Sequence, residues 1–341
     1  SSMSVFRHSV RVALNYGRIA RELATAYPTT FPVKIGKVVY GRARYAVSPA
    51  VSVGMGLIEL PPHHWKRFIH GRGRLEAFRI INLRLGAHLF KNKVALLDRI
   101  AQHGLPHART YGLDELPGLG DADLFIKPPD EYGGKGAFAA RADEPGLAER
   151  AEGLLIQDRL RSHPGLAPIG GDFGLPTLRV HTVLTPEGGR VVAVVAKILT
   201  GPDLIDNWHG GRTGKLIAGV DLDTGKLTQG FGLVPGTDQV IRAIDRHPTT
   251  GEVLRGFVLP DFEALKEIAQ RLAEAFPDAP ILGSDIALTT DGPVILDPNF
   301  VPEPNFPQIT LREGVRDFLP RWIAMADIPS EVKRAAVDSL G

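Results

Sequence analysis

The sequence has no cysteine among its 341 residues. A disulfide framework, a thiolate metal site and a cysteine nucleophile are therefore excluded. Long hydrophobic runs are lacking too: stretches such as Val191 to Ala196 fall far short of the roughly 20 apolar residues that span a bilayer. The N-terminus shows no signal-peptide pattern, and Ser1-Ser2-Met3 looks like a scar left by tag removal. We therefore expect a cytoplasmic protein without an integral membrane segment.

An excess of either charge is also lacking, because 40 basic residues are balanced by 38 acidic ones, for a formal net charge of +2. This balance gives no general reason to expect a nucleic-acid partner. Zinc chemistry is not indicated: His103 and His107 have the spacing of a helical pair, but Gly104 and Pro106 break the helix that such a pair needs. No Gly-x-Ser-x-Gly motif occurs, so there is no case for a serine hydrolase.

The first 88 residues differ from the rest in composition and in hydrophobic pattern. Apolar residues recur at helical spacing over 9–26, whereas the Pro-, Gly- and Val-rich segment 27–60 predicts short strands or extended chain. A second helix-like stretch over 61–84 is basic. Its basic face either meets an anionic substrate or lipid headgroups, or is a solvated face whose arginine stems cover apolar surface, which is the commoner case.

From residue 89 the pattern is typical of an α+β chain. Helices are predicted over 92–103 and over 261–276, the latter starting with an Asp cap at Asp261. A hairpin turn at Thr290-Asp291-Gly292 joins the last two predicted strands, and we expect antiparallel sheets rather than a repeating parallel one. The predicted strands are 123–127, 153–157, 177–184, 190–199, 216–222, 281–289 and 293–296.

The strongest chemical signal lies on this last hairpin. Asp285 lies on its first strand and Asp297 ends the second, so the turn brings both carboxylates to the same end of the ribbon. Asn299 follows two residues later, and strand alternation points it to the same face as Asp297. Two carboxylates and one amide oxygen suit Mg²⁺, which leaves its other positions to water and phosphate. The alternative is a hairpin with ordinary turn aspartates.

The segment from Asp285 to Asn299 resembles the end of the ATP-grasp fold, in which an Asp is followed about a dozen residues later by Glu-x-Asn on the facing strand. The resemblance implies an ATP-grasp fold, with two α+β subdomains gripping ATP and an N-terminal helical or mixed extension. It also implies that Asp285, Asp297 and Asn299 bind Mg²⁺. Asp297 stands where the family usually has the longer Glu, which puts the bridging of two metal ions in doubt.

Upstream segments resemble the nucleotide-binding elements of that family in the same order. Phe125-Ile126-Lys127-Pro128 resembles the strand whose lysine reaches the phosphates, and Glu131 to Gly136 resembles the glycine-rich lid. Leu154 to Asp158 resembles the hinge strand, whose backbone groups hydrogen-bond adenine. The residues that the resemblance implies for ATP binding are Lys93, Lys127, Gly133, Gly134, Lys135, Gly136, Gln157 and Asp158.

The middle of the chain, including 174–181 and the segment around Lys197, resembles one subgroup, the sugar-transfer-associated ATP-grasp proteins. Arg179 and Lys197 lie on predicted strands among apolar residues, where an unpaired charge is unfavourable. Both are candidate catalytic residues that contact a phosphate or a substrate carboxylate. For Arg179 the alternative is a buried structural ion pair. The loop from Asp206 to Arg212 is predicted to close over a substrate, with a simple turn as the alternative.

The resemblance implies a Mg-ATP-dependent ligase, whose small-molecule partners are a carboxylate, activated as an acylphosphate, and an amine or similar nucleophile. A kinase acting on a hydroxyl group and a nucleotide-binding module without turnover are the alternatives. The expected domains are an N-terminal region (1–88), a first ATP-grasp subdomain with the lid (89–155), a second with the metal hairpin (156–330) and a C-terminal tail (331–341). Homo-oligomerisation is left open.

Overall fold

The computed structural model describes residues 16–68, 75–82, 93–129, 136–202, 208 and 211–340. The strands are β1 (Thr110–Tyr111), β2 (Asp123–Lys127), β3 (Phe138–Arg141), β4 (Leu155–Asp158), β5 (Thr177–Thr185), β6 (Gly188–Ile198), β7 (Leu216–Val220), β8 (Leu227–Leu233), β9 (Ile241–Ile244), β10 (Ile281–Thr289) and β11 (Gly292–Asn299). The helices are α1 (16–26), α2 (Phe31–Tyr45), α3 (Pro49–Gly54), α4 (Glu76–Ile81), α5 (Lys93–Gln102), α6 (Leu147–Arg150), α7 (Phe262–Ala275), α8 (Asn305–Leu311), α9 (Val315–Met325) and α10 (Ser330–Asp338). Within these ranges, no helix combines the length and the apolar character needed to cross a bilayer.

The strands form two sheets. The smaller has the order β1-β4-β2-β3, and the larger has the order β11-β10-β5-β6-β7-β8-β9. Every neighbouring pair is antiparallel. The predicted α+β class with antiparallel sheets is therefore confirmed.

The hairpin of β10 and β11 forms where it was predicted, with Thr289 paired to Gly292 across a two-residue turn. Gly292 has a left-handed φ of 97°, which glycine adopts without strain. The second strand is longer than predicted, since β11 continues to Asn299 instead of ending at the metal-site aspartate. Asp297 and Asn299 are consequently held by sheet pairing and not by a loop.

The segment 27–60, predicted as strands or extended chain, is instead helical. Helix α2 begins with Pro32 in its first turn, where proline is tolerated. It buries Gly41 so close to Trp65 that a Cβ on that glycine would lie 1.9 Å from the indole ring. Helix α3 has Ser48 as its N-cap, and the Ser48 side chain accepts a hydrogen bond from Val51 N–H. Gly41, which lowers helix propensity, serves here for close tertiary packing.

The two faces of the large sheet pack against different partners, as strand β6 illustrates. Val194 and Ala196 belong to the core that the sheet forms with α7, whereas Val195, on the opposite face, belongs to a core shared with the N-terminal helices. Ala193, also on that opposite face, packs with α4, α9 and α10. The small sheet has a separate core around Leu124, Ile126 and Ile156. The N-terminal and C-terminal helices thus cover one face of the sheet side by side.

The predicted cap of α7 is wrong in its chemistry, although the helix is confirmed. Asp261 precedes the helix with a left-handed φ of 49°, and its side chain makes no capping hydrogen bond. Side chains that cap a helix usually come from extended backbone, which aims them at the amides of the first turn. The Asp261 carboxylate lies instead 3.7 Å from His163 Nε2.

Candidate nucleotide and metal site

A row of three charged residues crosses the large sheet. Asp285 on β10 lies directly opposite Arg179 on β5 and opposite Asp297 on β11. Residues opposite one another in a sheet project from the same face, so the three side chains point to one side. The prediction that the hairpin brings Asp285 and Asp297 together is thereby confirmed.

Asp285 is enclosed by two cations. Arg179 donates to both of its oxygens, with Nε 2.8 Å from Oδ1 and Nη2 3.0 Å from Oδ2. Lys197 Nζ lies 3.1 Å from Oδ1. All three side chains are largely buried, with exposed fractions of 10% for Arg179, 5% for Lys197 and 17% for Asp285. Burial alone would raise the pKa of Asp285, but the two cations hold it well below its usual range.

The structure shows which group two of the candidate catalytic residues contact. Arg179 forms the buried ion pair that was the alternative to a functional role. Lys197, which sequence analysis assigned to phosphate contact, shares the same carboxylate. An ion pair with Asp285 and a contact with phosphate are compatible roles. Cations that bind a carboxylate in the absence of ligand are also placed to bind phosphate oxygens.

Asp297 lies in a different electrostatic setting from Asp285. Burial raises the pKa of the Asp297 carboxyl, and the charge of Asp285 acts in the same direction. The positive charges of Lys93, Lys127 and Arg179 oppose this shift without cancelling it. A carboxylate with a raised pKa has a negative charge that its neighbours do not fully compensate, and a bound cation would supply the missing charge.

Two lysines from outside the large sheet lie near this row: Lys127 on β2 of the small sheet and Lys93 at the start of α5. Lys127 ends β2, and burial lowers its pKa to about 8, with Lys93 acting in the same direction and Asp297 opposing it. The chain after α5 also joins the hairpin directly, because Ile295 N–H donates to Pro106 C=O at 2.9 Å. The two lysines predicted for phosphates therefore lie within electrostatic reach of the predicted metal ligand Asp297.

Strand β4, the predicted hinge, lies inside the small sheet. Gln157 pairs with Thr110 on one side and Phe125 on the other, so its backbone groups are used within the sheet. Its Nε2 lies 3.5 Å from Ala108 C=O. The Asp158 carboxylate accepts a 2.6 Å hydrogen bond from the Tyr111 hydroxyl. A backbone contact to adenine would therefore fall on the segment that follows Asp158.

The predicted lid is only partly described. Gly133, Gly134 and Lys135 lie outside the described residues, as do Asp206 and Asn207 of the predicted closing loop. Gly136 has a left-handed φ of 74°, and a Cβ there would lie 3.3 Å from Pro128 Cγ. Glycine is thus required at the end of the lid segment, where it returns to the small sheet.

Comparison with known families decides the class of protein. Residues 144–321, more than half of the chain, match the family described as sugar-transfer associated ATP-grasp. The chain belongs to this ATP-grasp family. The match confirms the resemblance identified from the hairpin and the middle of the chain. No curated protein matches the sequence.

Several solved structures are similar to this ATP-grasp chain at low identity. L-amino acid ligase from Bacillus licheniformis is 13% identical, with 62% of this chain and 40% of that chain covered and a TM-score of 0.36. N5-carboxyaminoimidazole ribonucleotide synthetase from Thermotoga maritima is 12% identical, with 64% and 44% covered and a TM-score of 0.37. D-alanyl-alanine synthetase A from Vibrio cholerae is 14% identical, with 74% and 66% covered and a TM-score of 0.39. The chain spans less than half of the first two proteins and about two thirds of the third.

The ATP-grasp family implies Mg²⁺, and the donor set fits this ion. Asp297 and Asn299 are half-buried neighbours on one strand face, and both offer the hard oxygen atoms that Mg²⁺ prefers. Asp285 adds a carboxylate directly opposite Asp297. Within the described ranges no group of three or more His, Asp or Glu side chains is arranged to hold a metal. Phosphate and water would therefore have to complete the coordination shell, as is usual for Mg²⁺.

Two residues that support this site were not predicted. Buried Asn82 donates through Nδ2 to Ile281 C=O and Phe300 C=O and accepts from Ile281 N–H, which ties the start of β10 to the end of β11. Phe306, from α8, lies under the Arg179 guanidinium at 5.4 Å. Both contacts join segments far apart in sequence, so no local pattern indicates them.

Proposed function

We propose that this chain is a Mg-ATP-dependent ligase that phosphorylates a carboxylate and joins the resulting acylphosphate to an amine or similar nucleophile. The observation that carries the proposal is the row of Arg179, Asp285 and Asp297, with Lys197 at its side. Carboxylates for a metal and cations for phosphate stand on one sheet face, which is the combination that phosphoryl transfer requires.

Each member of the site has a distinct part in this proposal. Asp285, Asp297 and Asn299 hold Mg²⁺, which when bound neutralises charge on the phosphates. Lys127 approaches the phosphates from the small sheet and Lys93 from the start of α5. The lowered pKa of Lys127 reflects burial that an anionic ligand would offset. Arg179 and Lys197 stabilise the charge that develops on the transferred phosphoryl group.

The remaining predicted residues surround the nucleotide. Gly133, Gly134, Lys135 and Gly136 form a lid that covers the phosphates and excludes water from the acylphosphate. The segment that follows Asp158 contacts adenine. The N-terminal region, up to about residue 88, supplies the substrate side of the site, consistent with its packing beside the C-terminal helices on the face that carries Arg179.

Binding is tested by thermal unfolding of wild type and Asp297→Asn with ATP, Mg²⁺, both or neither. A ligand at about a hundred times its dissociation constant adds about 2.7 kcal/mol to stability. We expect the ATP-Mg²⁺ combination to stabilise wild type and to lose this effect in Asp297→Asn. Asp291→Asn is the matched control, because Asp291 is an exposed turn residue of the same hairpin. If ATP does not stabilise wild type at any magnesium concentration, the proposed function is wrong.

The reaction type is tested by product analysis with Mg-ATP, hydroxylamine and a panel of carboxylic acids and amino acids. Hydroxylamine traps an acylphosphate as a hydroxamate, so a ligase yields ADP, inorganic phosphate and hydroxamate with its own carboxylate. A kinase yields ADP and a phosphorylated product without phosphate release. A nucleotide-binding module yields none of these while still responding to Mg-ATP in the unfolding assay.

A further inference from the structure

The outer face of helix α2 is apolar and exposed. Val33 is 61% exposed, Val39 52% and Tyr40 50%, and all three lie on this one helix. Gly36 lies between them along the helix, and a Cβ there would meet no atom within 4 Å. With a period of 3.6 residues these positions form one stripe along about two turns of the helix.

Contacts on the inner side of α2 keep this stripe facing outward. Val38 is fully buried in the core that the N-terminal helices share with the large sheet. Gly41 packs directly on Trp65, which leaves no room for the helix to rotate. Lys37, on the flank, donates to Ile58 C=O and Leu60 C=O. The helix therefore cannot bury its valines by turning inward.

The charge around this stripe is mostly positive, and Glu59, which lies near α2, is paired with Lys34 at 2.9 Å. No acidic residue occurs between Glu22 and Glu59, whereas Arg42 and Arg44 at the end of α2 are exposed. Glu22 is itself buried against the backbone amides of Asp238 and Gln239. The first 90 residues contain 14 lysines and arginines and three acidic residues, whereas the remaining 251 contain 26 and 35. The near-neutral net charge of the whole chain is therefore the sum of a strongly basic N-terminal region and an acidic remainder.

We propose that the outer face of α2 (Val33, Gly36, Val39, Tyr40 and Arg44, with Arg42 on its flank) docks this chain on an anionic lipid surface. Helices with exposed apolar side chains, bordering arginines and no acidic residue of their own are typical of the membrane interface, where tyrosine is also enriched. A solvated helix face accounts for the arginines but not for the valines. A second copy of the same face is disfavoured, because it would oppose like charges.

The test is co-sedimentation of the full chain with phosphatidylcholine vesicles that contain or lack phosphatidylglycerol. We expect binding to the anionic vesicles that weakens as salt is raised. Each arginine near an anionic surface contributes about 1 kcal/mol, or about fivefold, so Arg42→Gln/Arg44→Gln should bind about 30-fold more weakly. Val33→Ser/Val39→Ser should bind about tenfold more weakly at every salt concentration.

The matched control is Arg334→Gln/Val337→Ser on α10, which changes an exposed arginine and a valine that is 40% exposed on another surface. It should bind as wild type does, and all variants should keep the Mg-ATP response, because α2 is separate from the nucleotide site. The proposal is overturned by a failure to bind anionic vesicles, by equal binding to neutral ones, or by α2 variants that bind unchanged. It is also overturned by a concentration-dependent dimer that the Val33 and Val39 substitutions dissociate, since the face would then be a contact between copies.

Discussion

Substituting Asn for Asp should affect protein stability differently at the two aspartates that face each other across the hairpin. In Asp285→Asn the carboxylate that accepts from both Arg179 and Lys197 is lost. Removing one member of a buried ion pair destabilises a protein by about 3–5 kcal/mol. Both cations have further contacts, so we take the lower end, about 3 kcal/mol.

Asp297→Asn should have no such effect. Its raised pKa means that the folded protein holds this proton more tightly than the unfolded chain does, so ionisation at neutral pH lowers stability. Removing the charge should therefore leave the stability of the ligand-free protein unchanged or raise it. The contrast does not depend on the metal, because it is measured without nucleotide or Mg²⁺.

The assay is thermal unfolding at pH 7 of wild type, the two variants and the control Asp291→Asn. At about 2 °C per kcal/mol for a large chain, Asp285→Asn should lower Tm by about 6 °C. Asp297→Asn and Asp291→Asn should stay at or above the wild-type value. The reasoning is refuted if Asp285→Asn unfolds with wild type, or if Asp297→Asn loses as much stability as Asp285→Asn.

The other predictions concern the surroundings of the row. Because the pKa of Lys127 is about 8, affinity for Mg-ATP should fall as pH rises above 8, and Lys127→Arg should shift this fall to higher pH in a titration followed by fluorescence. Asn82→Ala should lower the free energy of unfolding by about 3 kcal/mol, because it leaves buried backbone groups of β10 and Phe300 unpaired, a loss measurable by thermal unfolding. Gly136→Ala should weaken Mg-ATP binding severalfold, whereas Gly251→Ala, with a similar left-handed φ of 77° far from the site, should leave binding unchanged in the same titration.

The part of the site on β10 and β11 was predictable because its information is local. The two-residue turn brings Asp285 and Asp297 to the same end of the hairpin, and strand alternation puts Asp297 and Asn299 on one face. The β-bulge between Asp285 and Ile286 was not predicted, and this bulge is what brings Asp297, and not Leu296, opposite Asp285. Helix α7 and strand β2 were predictable for the same reason, since their apolar periodicity lies within the segments themselves.

The contacts that were missed depend on segments far apart in the chain. Arg179 and Asp285 are separated by 106 residues, and Asn82 reaches Ile281 across 199. The error over 27–60 has the same origin, because Gly41 is a poor helix former that α2 needs for its approach to Trp65. Local propensity predicts extended chain there, and tertiary packing overrides it.

The double pairing of Asp285 leads to a last prediction about how the site is loaded. Asp285 can coordinate Mg²⁺ only if Arg179 and Lys197 pair with other anions instead. The phosphate oxygens of ATP are such anions. Mg²⁺ alone would be placed beside two cations, so we expect it to stabilise wild type little in the absence of ATP. Arg179→Gln removes one of these cations and leaves a less compensated carboxylate.

We therefore expect Mg²⁺ alone to raise the Tm of Arg179→Gln more than that of wild type, whereas the response to ATP-Mg²⁺ becomes smaller. A magnesium titration of both proteins by thermal unfolding measures this, with Arg334→Gln as a control for the loss of one positive charge. Equal responses of wild type and Arg179→Gln to Mg²⁺ alone would mean that Arg179 does not compete with the metal for Asp285. In that case Asp285 would serve to orient the two cations, and Asp297 and Asn299 would be the metal ligands of the hairpin.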